Sequence, residues 1–275
     1  MLNLVKSLSG ETELRLYYAF RVLGFVDEEI RSARSGKWWV RARACYNLRL
    51  MHATDAIEVL SKKLEDEYEV VRIEAALSLL DIAGLNALAP ILMTITDISG
   101  WMKVRLSKTI FGFGGDAVPH LVQGMKSEFP NVQLFCIEML GRLGDVRAVP
   151  ILIEYISYIV PEIQRVSLEA FGRIGDARAV PVVLKFLESK EEQIRIAAAR
   201  ALGSLGSPAT VDALNKLLLH DTILVRLAAA ESLSKIGDAG IRTLRYSTQS
   251  NNSEARLVAL QYLHEHDIVH EGASG

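Results

Sequence analysis

Several kinds of chemistry are poorly provided for in this chain of 275 residues. Two cysteines, Cys45 and Cys136, are too few for a disulfide framework or a zinc site, and their apolar neighbours mark them as core thiols. That usage fits a reducing compartment. No stretch approaches the roughly 18 uncharged apolar residues that cross a bilayer, so no membrane span is expected in this chain. The N-terminal MLNLVKSLSGETELR lacks the apolar run of a secretory signal, and the expected location is cytoplasmic. A net charge of −2 gives no global attraction to nucleic acid or acidic membrane. The six histidines are scattered, so no nucleophile, base and orienting group can be assembled, and no catalytic residue is assigned. No cofactor is implied.

What the chain does contain is repetition. LGRLGDVRAVP, residues 140–150, returns as FGRIGDARAVP, residues 171–181, with Asp145 and Asp176 31 residues apart. Self-similarity at a period of 20–50 residues is the mark of stacked helical or related units. The pair that opens each unit, an apolar residue followed in most cases by a basic one, extends the register in both directions. It occurs as Val40-Arg41, Val71-Arg72, Met102-Lys103, Val132-Gln133, Ile163-Gln164, Ile194-Arg195, Val225-Arg226 and Ala255-Arg256, at spacings of 31, 31, 30, 31, 31, 31 and 30. Eight residues further on stand Leu48, Leu79, Leu140, Phe171, Leu202 and Leu233. The third unit reads as degenerate at this stretch, around Ile110, Phe111 and Gly112. Half of the residues are hydrophobic, ample for a core shared between neighbouring units.

Each unit reads as a first helix, a short turn and a second helix. Gly144 and Gly175 end first helices where a left-handed residue is wanted. Pro150 and Pro181 then open second helices, where a missing N–H costs nothing, and Pro119 and Pro90 serve likewise. The pairs Glu138/Arg142, Glu169/Arg173 and Glu231/Lys235 are four apart on first helices and are expected to form an outer, solvated row. The anchor arginines Arg72, Arg195 and Arg226 are expected to bind acids or carbonyls of the adjoining turns. Residues 1–39 do not fit the repeat and read as capping helices, at 11–23 and 26–34. The array occupies 40–263, and 264–275 is expected to be a flexible tail.

VRLAAAESLSKIGD, residues 225–238, and the recurring G-D-x-R-A-V-P resemble HEAT-like repeats of the phycobilisome lyase type. The resemblance covers about residues 40–263. It implies an all-α fold, a right-handed α-solenoid superhelix of about eight HEAT-like helix-hairpin repeats. For function it implies a wide set: bilin attachment or chromophore handling, scaffolding and enzyme regulation. Deoxyhypusine hydroxylase-like relatives place His-Glu directly after the anchor arginine to build a metal centre. Here those positions hold Ala42-Arg43, Ile73-Glu74, Val104-Arg105, Ile196-Ala197 and Leu227-Ala228, and His264-Glu265-His266 lies off the position. No metal is therefore expected. DNA-glycosylase-like relatives line a face with basic and aromatic residues, which Lys37, Trp38, Trp39, Arg41 and Arg43 suggest locally. The second helices, read as the inner layer, carry Glu58, Asp97, Glu154, Glu188 and Asp212, so nucleic acid is disfavoured as the partner. FGFGGD, residues 111–116, lies at a helix stop with no preceding strand and reads as a turn.

The reading that remains is a non-enzymatic scaffold or adaptor for a protein partner, engaged through the inner helices and the inter-repeat turns. Repeats five and six fill those turns with Lys190, Glu191 and Glu192, whereas the earlier repeats supply Trp39, Tyr68, Trp101, Phe129, Tyr158, Ile159 and Val160. Contiguous exposed apolar groups mark interaction sites, and Trp and Tyr are favoured anchors. The other account of Trp39 and Trp101 is a hydrophobic staple preceding a helix, with Tyr158 packed on a neighbouring repeat.

Overall fold

The computed structural model describes residues 11–157 and 160–265, and every regular element among them is helical. Two capping helices come first, α1 (Glu11–Val22) and α2 (Phe25–Ser32). Hairpins follow: α3 (Trp38–Leu50) with α4 (Ile57–Lys62), α5 (Glu69–Ala83) with α6 (Leu88–Thr94), and α7 (Gly100–Phe113) with α8 (Val118–Gly124). Next are α9 (Pro130–Leu143) with α10 (Val149–Tyr155), α11 (Pro161–Ile174) with α12 (Val180–Lys185), and α13 (Glu192–Leu205) with α14 (Val211–His220). The series ends with α15 (Ile223–Lys235), α16 (Asp238–Ser247) and a single helix, α17 (Ser253–Glu265). This is the all-α, helix-hairpin solenoid class that the period implies. The chain separates into two compact units, Met1–Cys136 and Ile137–Gly275, and each is described by itself.

The recurring G-D-x-R-A-V-P is one device for turning a first helix into a second. Gly144 and Gly175 take φ of 68° and 74°, a conformation costly for any residue with a Cβ. The Asp176 carboxylate then accepts from the Arg178 backbone N–H at 2.9 Å and from its Nε and Nη2. Asp145 and Arg147 repeat those contacts. A one-turn 3-10 segment follows, its Ala148 or Ala179 fully buried, and proline opens the second helix. In the first repeat His52 takes the positive-φ position, at 47°, and its ring stacks on Tyr17 of the cap at 5.3 Å.

Ile110, eight residues past Met102, is fully buried, so the third repeat keeps the register that looked degenerate there. Cys45 and Cys136 are free and fully buried. Residues 69–94 are long and apolar enough to cross a membrane by composition, contrary to the sequence expectation. They are the second repeat: Gly84, at φ 63°, breaks them into α5 and α6, and their apolar side chains are mostly buried within the unit. At the C-terminus α17 continues through His264 to Glu265, so the helix extends two residues into the stretch expected to be tail; residues 266–275 lie outside the described residues.

In the second unit the first helices are the closely spaced layer. A Cβ on Gly141 would sit 2.7 Å from the Cα of Ala170, one on Gly172 3.2 Å from that of Ala201, and one on Gly203 2.7 Å from that of Ser232. Successive second helices in this unit touch far less. The pairs Glu138/Arg142, Glu169/Arg173 and Glu231/Lys235 expected on first helices lie at 3.9, 3.6 and 2.7 Å.

Candidate interaction surface

The anchor arginine decides how each first helix meets the next turn. Arg41 is 6 % exposed and donates from Nε and Nη2 to the two Asp66 carboxylate oxygens, both at 2.7 Å. Its Nη1 reaches the carbonyls of Ser35 and Gly36 at 3.1 and 3.2 Å, so one guanidinium links the turns before its own helix and before the next. Arg195 makes the same bridge to Asp221 and to the Ser189 and Lys190 carbonyls. Arg72 binds the carbonyls of Asp66 and Glu67, and Arg226 binds that of Leu218 and pairs with Glu254. Bidentate geometry makes such links strong and orienting. Burial alone would raise the Asp66 carboxyl, but the Arg41 hydrogen bonds, the Tyr68 backbone N–H and the charges of Arg41 and Lys63 outweigh it and hold it below the usual carboxylate range. Asp221 is held low in the same way: burial opposes, and Arg195 with the Thr222 N–H prevails. These arginines are structural and are not free to bind a ligand.

The candidate edge residues of the first unit stand above this ladder. Trp38 packs: it is half-buried and stacks on Tyr68 at 5.6 Å, while Arg41 lies under the same Tyr68 ring at 5.7 Å. Trp39, Trp101 and Tyr68 are 54 %, 60 % and 43 % exposed. Lys37 and Tyr68 are the residues before α3 and α5, and Ser99 caps α7 with its hydroxyl on the Met102 N–H. Trp39 and Trp101 therefore sit inside the first helical turn, not ahead of it; the Trp39 ring meets Trp38 edge-on at 6.0 Å with Lys37 over it at 5.8 Å, and both tryptophans remain more than half exposed. A hydrophobic staple needs a residue before the cap packed inward, so that account does not describe them. Phe129 is half-buried. Val160 is exposed but belongs to the second unit, and Tyr158 and Ile159 lie outside the described residues. The structure thus groups Trp39, Tyr68, Trp101 and Phe129 in one unit and does not join Val160 to them.

A second row, not singled out in the sequence, runs beside the tryptophans. Four residues beyond Trp39, Val70 and Trp101 come Arg43, Glu74 and Arg105, one helix turn along the same faces of α3, α5 and α7. The Glu74 carboxylate lies 3.4 Å from Arg49 and 3.5 Å from Arg105. Arg43 and Lys108 are exposed, and neither has an ion-pair partner among the described residues. At the same offset the later repeats hold Phe135, Val166, Ala197, Ala228 and Val258, all buried. The signal was in the sequence, in the residues inspected for His-Glu pairs.

The corresponding face of the second unit is neutralised from within. A groove of about 550 Å3 lies over α11, α13 and α15. In it Glu169 bridges Arg165 and Arg173, and Glu231 bridges Lys235 at 2.7 Å and Arg200 at 3.3 Å. Among the described residues no group of three His, Cys, Asp or Glu side chains is placed to hold a metal.

No curated protein matches the chain by sequence. Among solved structures, Kap95p, from a complex with RanGDP, aligns at a TM-score of 0.54 and 16 % identity over 87 % of this chain and 40 % of that one. An engineered protein aligns at 0.46 and 20 % identity, covering 90 % of this chain and 80 % of its own. The complex of CpcE and CpcF of phycocyanin lyase from Nostoc sp. PCC7120 aligns at 0.38 and 23 % identity, over 88 % and 87 %. A family profile of HEAT repeats matches residues 118–193, 160–234 and 183–264, together more than half of the chain. With the helix hairpins, the left-handed glycines and the arginine ladder all recurring at that period, the chain belongs to the HEAT-repeat family.

Proposed function

We propose that the protein is a non-enzymatic scaffold that binds a protein partner through the exposed aromatic edge of its first unit, Trp39, Tyr68, Trp101 and Phe129. The observation that carries this is the exposure of three aromatic side chains at successive inter-repeat positions, where repeats five to seven hold no aromatic residue, only Val160, Glu162, Glu191, Gln193, Thr222 and Leu224. Large aromatic groups left in water on a rigid array contribute binding energy when a partner removes them from it. Protein interaction is also the use to which HEAT repeats are most often put, and the neighbour Kap95p was solved bound to RanGDP.

The test is retention of the native partner from source lysate by the wild type and by a Tyr68→Ser, Phe129→Ser variant. A partner retained by the wild type and released by a variant with unchanged helical circular dichroism supports the edge. Equal retention by both moves the surface elsewhere, and a co-purifying pigment without protein would favour chromophore handling instead.

A further inference from the structure

The α3–α5–α7 face of the first unit carries two rows of different chemistry. At positions i of the three helices stand Trp39, Val70 and Trp101, 54 %, 48 % and 60 % exposed. At i+4 stand Arg43, Glu74 and Arg105, and at i+7 Tyr46, Leu77 and Lys108. Glu74 is shared by Arg49 and Arg105, which leaves Arg43 and Lys108 as exposed cations without a carboxylate. The face is therefore apolar along one side and net positive along the other. The equivalent face of the second unit has its cations bridged by Glu169 and Glu231.

The spacing of the rows selects the ligand. Packed helices lie about 8–10 Å apart, and two turns of an α-helix rise about 10.5 Å over seven residues. A helix laid across α3, α5 and α7 thus meets Trp39, Val70 and Trp101 with side chains seven residues apart. Single-stranded nucleic acid stacks successive bases on neighbouring aromatics. The two exposed tryptophans here are a full repeat apart from Val70 on either side, and a carboxylate sits in the middle of the basic row. We propose that this face receives an amphipathic acidic α-helix of a partner protein, its apolar stripe on Trp39, Val70 and Trp101 and its carboxylates against Arg43 and Lys108. This deepens the scaffold reading and rests on it, since it names the kind of segment the partner presents.

Trp38, Trp39 and Trp101 are the chain's three tryptophans, so emission excited selectively from tryptophan reports on this unit alone, and the anisotropy of a labelled peptide gives the affinity of variants that lack Trp39 and Trp101. The probes are a panel of helical peptides of about 21 residues, with Leu, Ile or Phe at heptad spacing and Glu beside the stripe. Each has a counterpart in which Lys replaces Glu, and a single-stranded oligonucleotide of similar charge is included. The expected result is a blue shift with at least one acidic peptide, at least about tenfold tighter than with its basic counterpart and weakened by salt. The exposed-site variants R43E/K108E and W39A/W101A, checked for an unchanged melting curve, should each lose about tenfold. The proposal is overturned if no acidic peptide in the panel binds, if basic counterparts bind as well, or if the oligonucleotide binds tighter than every peptide. In those cases partner release by the Tyr68/Phe129 variant still decides the scaffold reading independently.

Discussion

Arg195 holds Asp221, 26 residues away, through two parallel hydrogen bonds of 2.8 Å from Nε and 2.7 Å from Nη2. Both side chains are about one-seventh exposed, and the remaining Arg195 N–H groups reach two carbonyls of the preceding turn. Removing the guanidinium strands a mostly buried carboxylate and two acceptors together. Arg195→Ala is expected to destabilise the protein by about 1–3 kcal/mol. The exposed pair Glu58–Lys62, at 2.7 Å, offers the control: Lys62→Ala should change stability by less than about 0.5 kcal/mol. Urea unfolding of the two variants, followed by helical circular dichroism, reads the difference; equal effects would remove the ladder from its structural role.

Acid should act through the same carboxylates. Asp66 and Asp221 titrate lower folded than unfolded because their arginines outweigh the opposing effect of burial. A depressed folded value contributes stability that is present above the unfolded value, about 3.9, and is lost as pH falls through the folded one. The melting temperature is therefore expected to hold between about pH 5 and 8 and to fall below about pH 4. Asp221→Asn should lower it at neutral pH and flatten the acid limb. A variant with the wild-type acid limb would show that Asp221 does not contribute.

Glycine substitutions should divide by what faces the new methyl group. At Gly141 and Gly203 a Cβ meets the backbone of the next first helix at 2.7 Å, and Ala there should cost about 1–3 kcal/mol by forcing the helices apart. At Gly172 the approach is 3.2 Å, and the smaller shift is partly offset by helix propensity. Gly112 lies in α7 with nothing within 4 Å, so Gly112→Ala should stabilise by about 0.5–1 kcal/mol. Thermal melts of the four variants test the order.

Both thiols should be inert while the protein is folded. Burial pushes Cys45 up to about 12, helped by Asp66 and Glu74 and opposed by Lys63, and it pushes Cys136 higher still. The thiolate is the reactive form. Labelling by an aromatic disulfide reagent at pH 8 should be negligible for the native chain and reach two thiols per chain in denaturant. Fast labelling without denaturant would show that a first helix opens locally.

The parts of the fold visible in the sequence were those that one residue type fixes locally. A left-handed turn after Leu143 admits Gly144 and a helix start admits Pro150, each recurring 31 residues on, and a bidentate bridge needs Arg195, whose counterpart is Arg41 in the same register. What could not be seen depends on distance between helices. Gly141, Gly172 and Gly203 look like interruptions of a helical pattern until the neighbouring Ala170, Ala201 and Ser232 are placed against them, so the close approach of successive first helices does not show in the sequence. Trp39 and Trp101 could be read as packed or exposed because burial depends on where the helix begins. The Arg43, Glu74 and Arg105 row escaped notice because it becomes a row only when α3, α5 and α7 stand side by side.

The turn built by Gly144, Asp145 and Arg147 and the one built by Gly175, Asp176 and Arg178 are chemically the same junction. Cutting out residues 144–174 would leave Gly175 following Leu143, as Gly144 follows it now, with the contacts between Asp176 and Arg178 replacing those between Asp145 and Arg147 and only the Arg178 bond to the Val146 carbonyl removed. A single residue lost within a first helix is different, because it turns the rest of that helix by about 100° and brings side chains such as Phe171 or Leu202 out of the core. Length change in this chain is accordingly quantised: whole periods can be added or removed in register, and fractions of a period cannot.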